Sequence, residues 1–208
     1  MSDSRRLLEA ANALSQLLRQ HSIAHAFYGS ILTAVLSDNP RCDEIFCIVE
    51  GGSTHPFRRV RQAIVGSEHF TTTHSPWSNR LHATYRQVIP AVEVSISEHI
   101  FDDVINDTGM KIEILPAGEY GPRRLDSSTT MQLKGIPFLT LSEFVRAKLK
   151  AWTIRGSDRD AQDIIYTLCR YWNRLDINRV PEQDMNHFVT AHRTAALSWA
   201  ALKRKYGL

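Results

Sequence analysis

Three glutamates set inside apolar runs are the residues best placed for chemistry: Glu44 at the head of EIFCIV, Glu93 in AVEVSIS and Glu113 in MKIEILP. Carboxylates on neighbouring strands can grip a divalent cation or move a proton. A two-cation site needs its carboxylate oxygens close together, because each Mg2+ takes an octahedral shell of oxygens. Side chains alternate across a strand, so Glu44 shares a face with Phe46 and Ile48 while Ile45, Cys47 and Val49 take the other. The position two residues beyond Glu44, where a second acid would serve, holds Phe46. Asp43 faces away from Glu44 unless a bulge shifts the register. Asp43 and Glu44 are therefore either part of a cation site or the polar start of a strand.

A second set needs no metal. His82 and Tyr85 in RLHATYR, with Glu44 and Glu93 on neighbouring strands, can enter one pocket and transfer protons, or His82 can be a packed strand residue. His187 and His192, five apart, do not make the four-residue pair that a helical metal site prefers. Lys148, Trp152 and Arg155 recur at four and three residues, hence on one helix face, and Asp160 and Asp163 open the next helix. The expected division of labour is an ion-pair lock of Arg155 with both aspartates, leaving Lys148 for a ligand.

These residues need elements to carry them. Leu7, Leu8, Ala11, Leu14, Leu17 and Leu18 lie at helical spacing, with polar residues between them, and predict an amphipathic first helix. AHAFYG reads as a buried strand closed by Gly29, followed by a short helix over residues 30–36 and a buried strand over residues 44–49. A helix is expected over residues 56–65, with Pro56 in its first turn, and strands in EHFTTTH, RLHATYRQV, AVEVSIS and MKIEILP. After Leu139 the pattern turns helical, with Ser142 and Ser157 or Asp158 as caps and one long final helix beyond Pro181.

Composition narrows the class. A chain of 208 residues, 43% hydrophobic and 23% charged, can bury a substantial core. Its net charge of +3 is too small to draw nucleic acid by long-range attraction. Cys42, Cys47 and Cys169 are odd in number and form no Cys-x-x-Cys pair, which fits a reducing, cytoplasmic setting. SRRLLEAANALSQLLRQ lacks a signal peptide's apolar centre, and no run of about 18 apolar residues spans a membrane.

Tyr28-Gly29-Ser30, a spacer through Arg41 and then CDEIFCIV resemble the nucleotidyltransferase superfamily signature, in which Gly-Ser opens a helix and an acid-x-acid strand follows. KIEILPAGEYGP is similar to the strand bearing that family's third acid. GIPFLTLSEFVRAKLKAWTIRGSDRDAQDI looks like the C-terminal helical part of nucleotidyltransferase-like proteins found widely in fungi. The resemblance implies an α+β fold, with a mixed, mostly antiparallel sheet flanked by helices. The core would span residues 1–140 and a packed helical region residues 141–208. It implies that Gly29 and Ser30 offer donors to a triphosphate, with Lys148 across from them. Glu44 takes the place of the first metal acid and Glu113 the third, with Glu93 its competitor; Mg2+ would rest on Glu44 and Glu113 alone, since Phe46 replaces the second. The expected function is binding of a nucleotide or similar small molecule with at most atypical catalysis; the alternative is a repurposed metal-independent enzyme of fungal specialised metabolism.

Overall fold

The computed structural model describes residues 3–37, 45–75, 80–86 and 109–208; Asp43, Glu44, Glu93 and the AVEVSIS strand lie outside the described residues. The first helix, α1 (Asp3–Gln20), buries Leu7, Leu14 and Leu18 and exposes Asn12, Gln16 and Arg19, as the leucine spacing requires. Each buried leucine contributes about 1.5–3 kcal/mol by leaving water. Strand β1 (His25–Tyr28) ends at Gly29, whose φ of 103° would strain any side chain, and α2 (Ser30–Ser37) follows at once. Next come β2 (Ile45–Val49) and α3 (Pro56–Ile64); Pro56 stands where a missing N–H costs nothing, and His55 accepts from the Phe57 N–H.

Strands β3 (Phe70–Ser75), β4 (Arg80–Tyr85), β5 (Met110–Pro116), β6 (Thr130–Leu133) and β7 (Ile136–Leu139) join the first two in one sheet, ordered β3-β4-β5-β2-β1-β7-β6. β2 runs parallel to β5 and β1 parallel to β7; the other neighbours are antiparallel. This is the α+β class, with a mixed, mostly antiparallel sheet, that the sequence led us to expect. β1 and β7 are buried along their whole length, which is why both read as unbroken apolar runs.

Helices α1 and α3 cover one face of the sheet. There His25 bonds the Ser15 hydroxyl at 2.9 Å, and Tyr85 donates to Glu9 at 3.3 Å. Tyr85 thus lies on the face opposite His82, and the expectation that both enter one pocket is overturned by the pleat itself. The other face is approached by α4 (Leu141–Arg155) and by the segment after β5. That segment comes close to the sheet at Gly121, where a Cβ would stand 2.5 Å from the Cδ1 of fully buried Ile48. The Glu50 carboxylate also anchors it by accepting the Leu125 N–H.

The C-terminal part departs from the expectation in detail. Thr140, not Ser142, caps α4, because its hydroxyl accepts from the Glu143 N–H; the Ser142 hydroxyl instead accepts from the Asp176 N–H at 2.8 Å. Ser157 caps α5 (Asp158–Tyr171) as expected. The long final helix is two helices, α6 (Glu182–Ala191) and α7 (Ala196–Lys205), divided at His192, which leaves helical geometry at φ −122°. A continuous helix would run about 36 Å at 1.5 Å per residue. The break instead folds α7 back, so that Trp199 is buried and its Nε1 donates to Asn186. The β6–β7 hairpin was not expected at all; its turn is Lys134-Gly135, both with positive φ, the arrangement that matches strand twist.

Candidate functional site

The strand register brings four residues into one row on the face turned towards α4. Tyr28 pairs with Phe46, Phe46 with Glu113, and Glu113 with His82. The Tyr28 and Phe46 rings lie 5.1 Å apart at 32°, within the range of favourable aromatic pairs. Together with Leu115, the first three form the floor of a cavity of about 590 Å3, a size suited to a small organic ligand. Ala147, Ala151 and Ile154 of α4 form an apolar wall, and Tyr120 stands at the rim.

Glu113 is mostly buried, with Arg80 of β4 at 3.4 Å from its Oε1. Tyr28 is buried, yet within the described residues its hydroxyl makes no hydrogen bond. Burial, reinforced by the charge of Glu113, pushes its pKa well up, so the phenol stays a donor.

The helical side of the cavity is charged. Lys148 is buried, with its Nζ 2.8 Å from Asp160 Oδ1 and 2.9 Å from Asp163 Oδ2. The first contact is a hydrogen bond; the second lacks the alignment of one and is ionic. Burial alone would discharge this lysine, but Asp163 and Asp160 outweigh it and its pKa is raised. Asp163 Oδ1 accepts from Thr33 of α2, which ties the cluster to the turn at Gly29. Arg155 Nη2 donates to Asp160 Oδ2 at 2.8 Å.

Of the residues expected from the sequence, Glu113 and Lys148 line the cavity, and His82 is beside Glu113 on the next strand. Ser30 is buried at the start of α2, and neither it nor Gly29 lines the cavity. Glu44 and Glu93 lie outside the described residues. The expected lock exists with its partners exchanged: Lys148 holds both aspartates and Arg155 only one. Tyr28, Arg80 and Tyr120 were missed as site residues. Arg80 was accessible from alternation alone, two places before His82 on the same strand face.

A divalent cation fits the described residues poorly. No three Asp, Glu, His or Cys side chains cluster among them. Glu113 has Phe46 on one side and a guanidinium within 4 Å, so its neighbours favour no second positive charge.

No family model and no curated protein matches the chain. Solved structures do. An antigenic nucleotidyltransferase-like protein from Paracoccidioides brasiliensis superposes with a TM-score of 0.62 at 16% identity, over 97% of this chain and 94% of that one. The chain has a nucleotidyltransferase-like fold. JHP933 from Helicobacter pylori superposes with a TM-score of 0.53 at 12% identity, over 95% and 79% of the two chains. In this fold Tyr28, Phe46 and Glu113 form the sheet floor of the cleft that faces α4, and His82 continues the row on the next strand. Among the described residues, no helix is long and apolar enough to cross a membrane.

Proposed function

We propose that this cleft binds a nucleotide or a similar small molecule with an incomplete two-metal site, so that nucleotidyl transfer is at most atypical. The observation that supports this reading is the placement of Phe46 beside Glu113 on the cavity floor, where an aromatic ring takes the room of a carboxylate. An aromatic floor and an alanine-lined wall suit a planar base, and the basic side chains at the cleft suit an anionic group. Glu113, with Glu44 if it reaches this face, is the acid available for a cation, and Gly29 and Ser30 remain the proposed phosphate-side turn. The setting we propose is the cytoplasm.

Titration calorimetry with ATP, GTP, CTP and UTP, with and without Mg2+, tests the reading. At least one triphosphate should bind, with an affinity that Mg2+ changes by less than about tenfold. Strict dependence on Mg2+ would mean that acids outside the described residues complete the site. Phe46→Asp should create a Mg2+ requirement, because it places a second carboxylate beside Glu113.

A second reading has one observation in its favour. His82 and Glu113 are direct cross-strand partners, an arrangement able to pass a proton without metal. On that reading the protein is a repurposed small-molecule enzyme, and none of the four triphosphates binds.

A further inference from the structure

Four basic side chains line the cleft, and each has a partner. Lys148 is enclosed by Asp160 and Asp163, Arg80 leans on Glu113, and Lys150 donates to the Glu119 carbonyl at 3.3 Å. Arg155 differs. It is the last residue of α4, its side chain is 57% exposed, and it is held through one nitrogen only, Nη2 on Asp160 Oδ2. Within the described residues its Nε and Nη1 make no hydrogen bond. A guanidinium carries five N–H donors in one rigid plane, so a single anchor fixes that plane and leaves further donors for an oxyanion.

The anchor is itself buried and doubly paired. Asp160 is 3% exposed and its other oxygen is bound to Lys148, which is braced in turn by Asp163 and, through it, by Thr33. The buried chain therefore orients Arg155 from the core outward. Tyr28 lines the same cavity and brings a second donor without a protein partner among the described residues. Its phenol, kept protonated by burial, suits an anionic acceptor.

We propose that Arg155 binds the phosphate group of the cleft's ligand, with the Tyr28 hydroxyl as second donor and Asp160 as the positioning residue. The proposal rests on the reading of this cavity as a ligand site. It reverses the roles expected from the sequence: Lys148 is the lock, and Arg155 is the ligand contact.

Calorimetric titration of wild type and Arg155→Gln with inorganic tripolyphosphate, a nucleoside triphosphate and the bare nucleoside separates the possibilities. Arg155→Gln should weaken both phosphate compounds by about tenfold or more and leave the nucleoside unchanged. Arg155→Lys should recover part of the loss, and Lys150→Gln should cost about threefold or less. Should the glutamine variant fold poorly, the Arg155 Nε–Hε signal of the wild-type protein should shift on adding tripolyphosphate. Tripolyphosphate binding that ignores Arg155→Gln, or an Nε–Hε signal that does not move, overturns the proposal. If tripolyphosphate binds through Arg155 while no nucleotide binds, the nucleotide reading falls and the phosphate site stands. If nucleotides bind and Arg155→Gln is silent, the reverse holds.

Discussion

The two walls of the cleft use polar groups in opposite ways. On the helical side, Lys148, Asp160 and Asp163 are nearly sealed from solvent and hold one another by ion pairs, with Thr33 donating to Asp163. On the sheet side, the Tyr28 hydroxyl has no partner among the described residues, and Glu113 has one distant cation. Residues of similar chemistry therefore do different work. A group whose bonding capacity is filled by neighbours holds the wall in place, and a group with capacity left can meet a ligand.

The largest effect should come from breaking the sealed side. Lys148→Met leaves buried Asp163 without a cation and Asp160 with Arg155 alone, and should cost about 3–5 kcal/mol in urea denaturation. A smaller loss, below about 1 kcal/mol, would show that the cluster does not hold α4 to α5.

Alkaline pH should probe burial next. The Cys47 thiol is enclosed and pushed up from its ordinary 9.0 by burial. Its contribution to stability is complete below pH 9 and disappears as pH climbs from 9 towards the raised folded value, because only the unfolded chain then releases the proton. The loss should reach about 1.4 kcal/mol at pH 10. Cys47→Ala should remove most of the loss between about pH 9 and 9.5, below the ordinary values of the other raised groups, Tyr28, Tyr85, Tyr166 and Lys148.

Thr33→Val should cost about 1–2 kcal/mol in thermal unfolding, since it removes one donor from buried Asp163. The smallest stability change belongs to the sheet side. Tyr28→Phe removes a hydroxyl with no partner among the described residues and should alter stability by less than about 0.5 kcal/mol. The same change should weaken a phosphate-bearing ligand by about threefold to tenfold in calorimetry. An inverted result, with Tyr28→Phe unstable and Lys148→Met tolerated, would overturn the contrast between the walls.

The sequence made the elements legible where periodicity was long or punctuated. The leucine spacing of α1, the glycine between β1 and α2, and Pro56 at the start of α3 each point to a single local structure. It also placed Phe46, not an acid, two residues beyond Glu44 on the same strand face. It could not show which strands are neighbours, so the row from Tyr28 to His82, drawn from four separated segments, had to await the sheet order. Likewise Lys148 and Arg155 are equivalent on a helical projection, and only the docking of α5 decides which is buried between the aspartates. The β6–β7 hairpin escaped notice because its strands are four residues long and Lys134-Gly135 is not the usual Asn-Gly or Asp-Gly turn.

Gly121 gives the cleft an unusual tolerance for change. The strap bearing Tyr120 touches the sheet closely at Gly121, where there is no side chain, and is tied again where Glu50 accepts the Leu125 N–H, so its height above Ile48 is set by backbone and not by the rim side chains. Descendants of this chain could alter what the rim recognises by changing the Tyr120 and Glu119 side chains, provided that position 121 stays bare; a methyl there would meet Ile48 and lift the strap off the sheet.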